Sequence, residues 1–212
     1  MKRIFQRGIT YFMLGLIKLV SFIFFPIKVY GRENFPKEGS FLICPNHISA
    51  FDIVPVNLAY GRPIKIMAKK ELFKNKFVGG FFSTFGAFAI DRGKADMAAI
   101  NYAEDMLRDG SPVCIFVEGT RTKDPEARPG RAKAGAALIA SQAAVPVVPV
   151  GIVYRHKRPR LFSRIRVYIG TPIPAEELTV DKADRGALRR ATERIMSEIT
   201  ALWEKGTEQW QK

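Results

Sequence analysis

Residues 41–54 read FLICPNHISAFDIV, and the fold turns on how that stretch divides. Phe41–Cys44 is a short apolar run of aromatic and β-branched character, the composition of a strand buried on both faces. The polar letters that follow (Asn46, His47, Ser49) cannot continue it. From Phe51 the chain is apolar again, and Ser49-x-x-Asp52 has the spacing of a capping box that opens a helix at Ser49. Pro55 is tolerated in a first helical turn, so Asp52 itself is a second candidate for the cap. The unit is strand, polar loop, helix.

The same unit recurs along the chain. Further strand candidates are Ile64–Ala68, Ala87–Ile90, Val113–Val117, Val145–Val153 and Ile165–Ile169. Between them Met97, Ile100, Ala103, Met106 and Leu107 recur at helical spacing in 94–109, closed by Asp109-Gly110. Segment 132–143 is alanine-rich, and Leu188, Ala191, Ile195, Ile199 and Leu202 form a C-terminal stripe. Continuous apolar strands alternating with helices imply an α/β fold with a largely parallel central sheet flanked by helices. No internal repeat or long linker interrupts it. The one stretch of low structure is TKDPEARPGRAKAG (122–135), with Pro125, Pro129 and Gly130.

Ahead of this domain, Gly8–Ile27 is a run of twenty residues whose only charge is Lys18. Its length suits a bilayer span. A lysine near its middle, at a cost of about 3 kcal/mol, makes an interfacial helix an equal alternative. Basic residues flank it on both sides (Lys2, Arg3, Arg7, then Lys28 and Arg32), as beside anionic lipid. A cleaved signal peptide does not fit, because no small-x-small site follows the apolar run. The expected organisation is a membrane anchor over 1–30 and one domain over 31–212, with the protein membrane-associated on the cytoplasmic face.

Charge narrows the partners. The 212 residues carry 34 Lys plus Arg against 20 Asp plus Glu, a net +14, which favours an anionic surface or ligand. No nucleic-acid-binding module is recognisable, so anionic membrane lipid is the expected partner and nucleic acid is not. The run RHKRPRLFSRIR (155–166) holds six Arg or Lys and no acid, suited to lipid headgroups or to an acidic carrier protein. Cys44 and Cys114 sit in apolar runs and read as reduced core residues, with no metal site implied.

In parallel sheets, chemistry gathers at the carboxyl ends of strands. His47 leaves the first strand, Arg92 leaves 87–90, and Glu118-Gly119-Thr120-Arg121 leave 113–117. On a regular helix His47 and Asp52 would point about 140° apart. They meet if His47 stays in the loop and Asp52 enters the first helical turn. A carboxylate on one ring nitrogen would fix the tautomer and leave the other as a general base. Taken alone, the pair is better explained by a backbone-bonded loop histidine with Asp52 merely capping. Arg121 offers a planar fork for a phosphate, Gly119 lets backbone N–H groups approach an anion, and Lys69 and Lys70 add charge at a further strand exit. An anionic substrate accounts for these cations together.

Four ordered blocks then resemble the 1-acylglycerol-3-phosphate acyltransferases of the glycerolipid acyltransferase superfamily. They are N-H-x-S-x-x-D (Asn46, His47, Ser49, Asp52), G-x-F-x-I-x-R (Gly86, Phe88, Ile90, Arg92), E-G-T-R (Glu118–Arg121) and the Pro-bracketed strand VPVVPVGI (Val145–Ile152). MAKKEL, with Lys69 and Leu72, is similar to a further family block. Val117 stands where the family usually has proline. The resemblance spans about Tyr30 to Gly170. It implies that His47 takes the proton of a lysophosphatidate hydroxyl attacking an acyl thioester, oriented by Asp52. Arg92, Arg121 and Lys69 would hold the acceptor phosphate, and Asn46, Ser49, Glu118, Gly119 and Thr120 would shape the pocket, with Glu118 orienting an arginine. Backbone N–H groups at the helix after His47 are its candidates for the oxyanion. No bound cofactor or metal is implied; acyl-CoA or acyl carrier protein brings the acyl chain as co-substrate. The same chemistry on glycerol 3-phosphate, another lysophospholipid or a lyso-aminolipid is the alternative, and a non-catalytic basic membrane- or nucleic-acid-binding protein is a remote one from another class.

Overall fold

The computed structural model describes residues 12, 15, 16, 19, 23–62, 64–84, 86–90, 96–181, 184 and 186–211. Seven strands form one sheet: β1 (Ile27–Tyr30), β2 (Leu42–Pro45), β3 (Lys65–Lys69), β4 (Ala87–Ile90), β5 (Val113–Cys114), β6 (Val147–Tyr154) and β7 (Ile165–Ile169). Their spatial order is β1-β7-β6-β2-β5-β3-β4. Every adjacent pair is parallel except β6 with β7. Helices α1 (Ile53–Tyr60), α2 (Lys76–Thr84), α3 (Asp96–Arg108), α4 (Gly135–Ala143) and α5 (Ala187–Gln211) complete the domain.

The alternation of side chains along β2 splits the core in two. Ile43 faces a cluster with Ile53, Val54 and Val56 of α1 and Val150 and Ile152 of β6. Leu42 and Cys44 face a second cluster with Leu107 of α3, Ile139 of α4 and Ile195 and Ile199 of α5. All eight residues of β6 are buried, as expected of a central strand covered on both faces. Each such isoleucine or leucine withdrawn from water contributes about 1.5–3 kcal/mol. Helix α5 lies so close that a methyl group on Gly151 would stand 2.8 Å from Leu202 Cβ, so β6 needs glycine there.

Several boundaries differ from those read in the sequence. β1 was counted with the anchor, yet Ile27–Tyr30 pairs in register with Ile165–Tyr168 and extends the sheet by an edge strand. β5 ends at Cys114 instead of Val117: Ile115 still donates to Ile43 O at 3.0 Å, but the chain then turns, with Gly119 N–H bonded to Phe116 O at 2.9 Å. β6 begins at Val147 because Ala144 and Val145 are spent closing α4, their N–H groups returning to Ser141 O and Ala140 O. Helix α4 starts three residues late, since Lys133 N–H is held by Val117 O at 2.8 Å.

Most of the apolar run at 8–27 lies outside the described residues. Of those described, Phe12, Gly15, Leu16, Leu19, Ile23 and Phe24 are helical, and the large apolar ones are exposed. Among the described residues no helix is long and apolar enough to cross a membrane.

Candidate active site

The parallel pairings bring the carboxyl ends of β2, β3, β4, β5 and β6 to one end of the sheet. His47 emerges there from β2. Ser49 caps a single 3-10 turn, Ala50–Asp52, as a capping box: its hydroxyl accepts from Phe51 N–H at 3.2 Å. Asp52 reaches back and its Oδ2 accepts from Ser49 N–H at 2.8 Å and Ile48 N–H at 2.6 Å. The same oxygen lies 2.9 Å from His47 Nδ1. Asp52 precedes α1 but makes no cap bond to it, which decides between the two caps the sequence allowed.

Tyr154, at the end of β6, donates its hydroxyl to Asp52 Oδ1 at 2.6 Å. Burial holds the Tyr154 phenol well above its usual range, with the Asp52 charge acting in the same direction, so it stays a donor. Asp52 is fully buried and surrounded by donors. Facing an acceptor-only carboxylate, His47 Nδ1 must carry the proton, which leaves Nε2 bare. The ring stacks on Phe116 (centroids 4.0 Å apart) and remains 18% exposed. Tyr154→Phe removes one bond to a buried carboxylate and is expected to cost about 1.5–3 kcal/mol, readable by denaturant titration.

The backbone of the loop is fixed from below. Asn46, fully buried, exchanges a bond pair with Ile152, donating to its O at 3.1 Å and accepting from its N–H at 2.7 Å. Glu118 Oε1 accepts from His47 N–H at 2.7 Å and Oε2 from Gly130 N–H at 2.8 Å. Glu118 thus braces two loops, and among the described residues its partners are these backbone donors. Burial raises the Glu118 carboxyl above its ordinary value, opposed by those two N–H bonds. The N–H groups of Ile48 and Ser49 are committed to Asp52.

His47 opens onto a cleft of about 1010 Å³ whose wall includes Ile53, Ile66, Ile100, Ile115, Leu138 and Ile139. Gly119, Thr120 and Arg121 line it as well, with Lys123, Lys133 and Arg158. Gly119 adopts φ +65, and a side chain there would meet the Lys133 stem at 2.9 Å. Arg92 lies outside the described residues. Lys69 ends β3 at the same end of the sheet, its side chain outside the description. Among the described residues, the cations lining the cleft are Arg121 from the expected set, joined by Lys123, Lys133 and Arg158.

Tyr154, Phe116 and Arg158 were not singled out in the sequence. Arg158 donates to Thr122 O at 3.3 Å and Asp124 O at 3.0 Å, tying the basic loop to the loop after Arg121. A tyrosine closing a buried central strand at the histidine's end was the available signal. Cys44 and Cys114 are buried free thiols, and burial pushes both up, away from thiolate chemistry. Among the described residues no group of three His, Cys, Asp or Glu is placed to hold a metal.

A mostly parallel sheet thus carries an oriented histidine over a largely apolar cleft. Residues 26–153, more than half of the chain, match the family model described as Acyltransferase. The chain is 31% identical over 165 residues to the 1-acyl-sn-glycerol-3-phosphate acyltransferase of Bacillus subtilis, covering 76% of this chain and 81% of that one. The Streptococcus pneumoniae enzyme of the same name is 32% identical over 186 residues, covering 85% and 67%. The 1-acyl-sn-glycerophosphate (LPA) acyltransferase PlsC of Thermotoga maritima superposes with a TM-score of 0.61 at 27% identity, over 84% of this chain and 73% of that structure. The chain belongs to the acyltransferase family, among its 1-acyl-sn-glycerol-3-phosphate acyltransferases.

Proposed function

We propose that this chain transfers an acyl group from an acyl thioester to the free sn-2 hydroxyl of 1-acylglycerol 3-phosphate, giving phosphatidate and a free thiol. The observation that carries the mechanism is the hydrogen-bonding of Asp52, which fixes the His47 proton on Nδ1. The bare Nε2 takes the acceptor's hydroxyl proton as the oxygen attacks the thioester carbonyl. Asp52 stabilises the imidazolium so formed. Collapse of the tetrahedral adduct breaks the C–S bond, and the thiolate leaves with the proton returned by His47. The nucleophile belongs to the substrate, so no protein nucleophile is required.

The apolar wall of the cleft suits acyl chains, and Arg121 supplies a fork for the acceptor phosphate, with Lys69 and Arg92 following neighbouring strand exits. Asn46, Ser49 and Glu118 hold the loop that carries His47. This reaction requires no bound cofactor; acyl-CoA or acyl carrier protein is the co-substrate in this reading, and either is an acidic partner for a chain of net charge +14. The acceptor is a lipid, so the protein works at a membrane, on its cytoplasmic face in this reading, with the residues before β1 as its anchor and anionic lipid as its partner.

Arg121→Ala tests the acceptor assignment. It should raise KM for lysophosphatidate about tenfold to a hundredfold, the worth of a charge-assisted bond. Turnover of monoacylglycerol, which lacks the phosphate, should be untouched. Equal losses on both acceptors, or glycerol 3-phosphate outcompeting lysophosphatidate, would remove lysophosphatidate from this account.

A further inference from the structure

Because β7 runs against β6, strands β1 and β7 begin at the end of the sheet where β2 and β6 finish. Their ladder continues outward past the strand ends: Ile165 N–H donates to Pro26 O at 2.9 Å and Phe162 N–H to Phe24 O at 2.6 Å. Two surfaces meet on this extension.

The outer one is apolar. The Phe24 and Phe162 rings lie 5.5 Å apart, and Leu161 and Phe162 are 64% and 67% exposed. Phe162 holds φ +60, a left-handed backbone that costs a bulky residue about 1–2 kcal/mol. The inner one is a pocket of about 260 Å³ lined by Pro26, Lys28, Arg164, Arg166 and Trp210, with no acidic residue on its wall among the described residues. The Arg166 guanidinium sits 3.7 Å over the Trp210 ring. Arg166 Nη1 and Trp210 Nε1 are both buried donors without a hydrogen-bond partner. Each unmet donor costs about 1–3 kcal/mol, so two in a cationic pocket mark a place for an anion.

Phe24 and Phe162 stand two residues from Pro26 and Arg164 in the chain, so the apolar surface adjoins the cationic pocket. One molecule carrying both a phosphate and an acyl chain would engage both surfaces. We infer that this pocket takes the phosphate of an anionic phospholipid distinct from the substrate, its acyl chain lying over Phe24 and Phe162. The site shares no lining residue with the His47 cleft. It rests on reading the chain as one that works at a lipid surface, not on the chemistry given to His47.

The test is a titration of the full chain with soluble dihexanoyl-phosphatidylglycerol, followed by tryptophan fluorescence and matched with inorganic phosphate. The expected result is a saturable response to the lipid that inorganic phosphate does not reproduce and that Trp210→Phe removes. Lys28→Glu with Arg164→Glu, both exposed positions, should weaken it at least about tenfold. Acyl transfer by that double variant in detergent micelles should match the parent. A saturating response to inorganic phosphate alone would make this a free-anion site and overturn the lipid assignment. No saturable response, or one indifferent to Lys28 and Arg164, would overturn the site itself. Loss of acyl transfer in the unaltered chain with the lipid response intact would sink the proposed reaction and leave this site standing.

Discussion

Replacing His47 by alanine should lower kcat/KM for acyl transfer to lysophosphatidate by about 10²–10⁴-fold, the range for loss of a positioned general base. The fold should survive, because the loop does not depend on the ring. Its backbone is held by Glu118 at His47 N–H, by Thr122 N–H at His47 O (2.8 Å) and by Asp52 at Ile48 and Ser49. Circular dichroism and thermal unfolding of the variant separate lost chemistry from lost structure. An unfolded variant would show that the ring is structural. A folded variant with undiminished turnover would remove His47 from the reaction.

Asp52 separates two kinds of dependence. Asp52→Ala leaves the Tyr154 hydroxyl, two backbone N–H groups and the His47 ring without their acceptor in a fully buried place. That should cost about 3–5 kcal/mol, a large share of a typical domain's 5–15 kcal/mol. Asp52→Asn keeps the volume, and its carbonyl can stand where Oδ2 stands, serving His47, Ile48 and Ser49. Its amide then meets the Tyr154 oxygen, which accepts. This variant should fold, keep the His47 tautomer and still lose about 10²–10⁴ in turnover, because nothing negative remains to stabilise the imidazolium. Full activity in Asp52→Asn would reduce Asp52 to a cap.

The parts legible in the sequence are those set by short-range pattern. β4 and β7 match the expected residues, and helix 94–109 appears as Asp96–Arg108, because apolar period and Asp109-Gly110 are local signals. The capping box was legible too, since Ser49 and Asp52 are three residues apart and act within one turn. What the sequence hid depends on contacts across the sheet. Tyr154 meets Asp52 across 102 residues, and Glu118 meets the His47 backbone across 71. Neither follows from spacing. β1 was missed because its apolar letters continue the run before it, and only pairing with β7 shows that Ile27 belongs to the sheet. Helix α2 was missed because Gly79 and Gly80 interrupt its pattern, which helix propensity disfavours and packing against Phe73 overrides.

The central claim is that His47 presents a bare Nε2 to the cleft. The chain has two histidines, His47 and exposed His156, so His156→Gln leaves a single imidazole to observe. ¹⁵N NMR of the histidine-labelled variant, taken above the pH at which the ring is charged, reads the tautomer directly. The account predicts a neutral ring with its proton on Nδ1 and none on Nε2, and the same tautomer in Asp52→Asn. A proton on Nε2 in the otherwise unaltered chain would contradict it, because the nitrogen facing the acceptor hydroxyl could not then serve as the base.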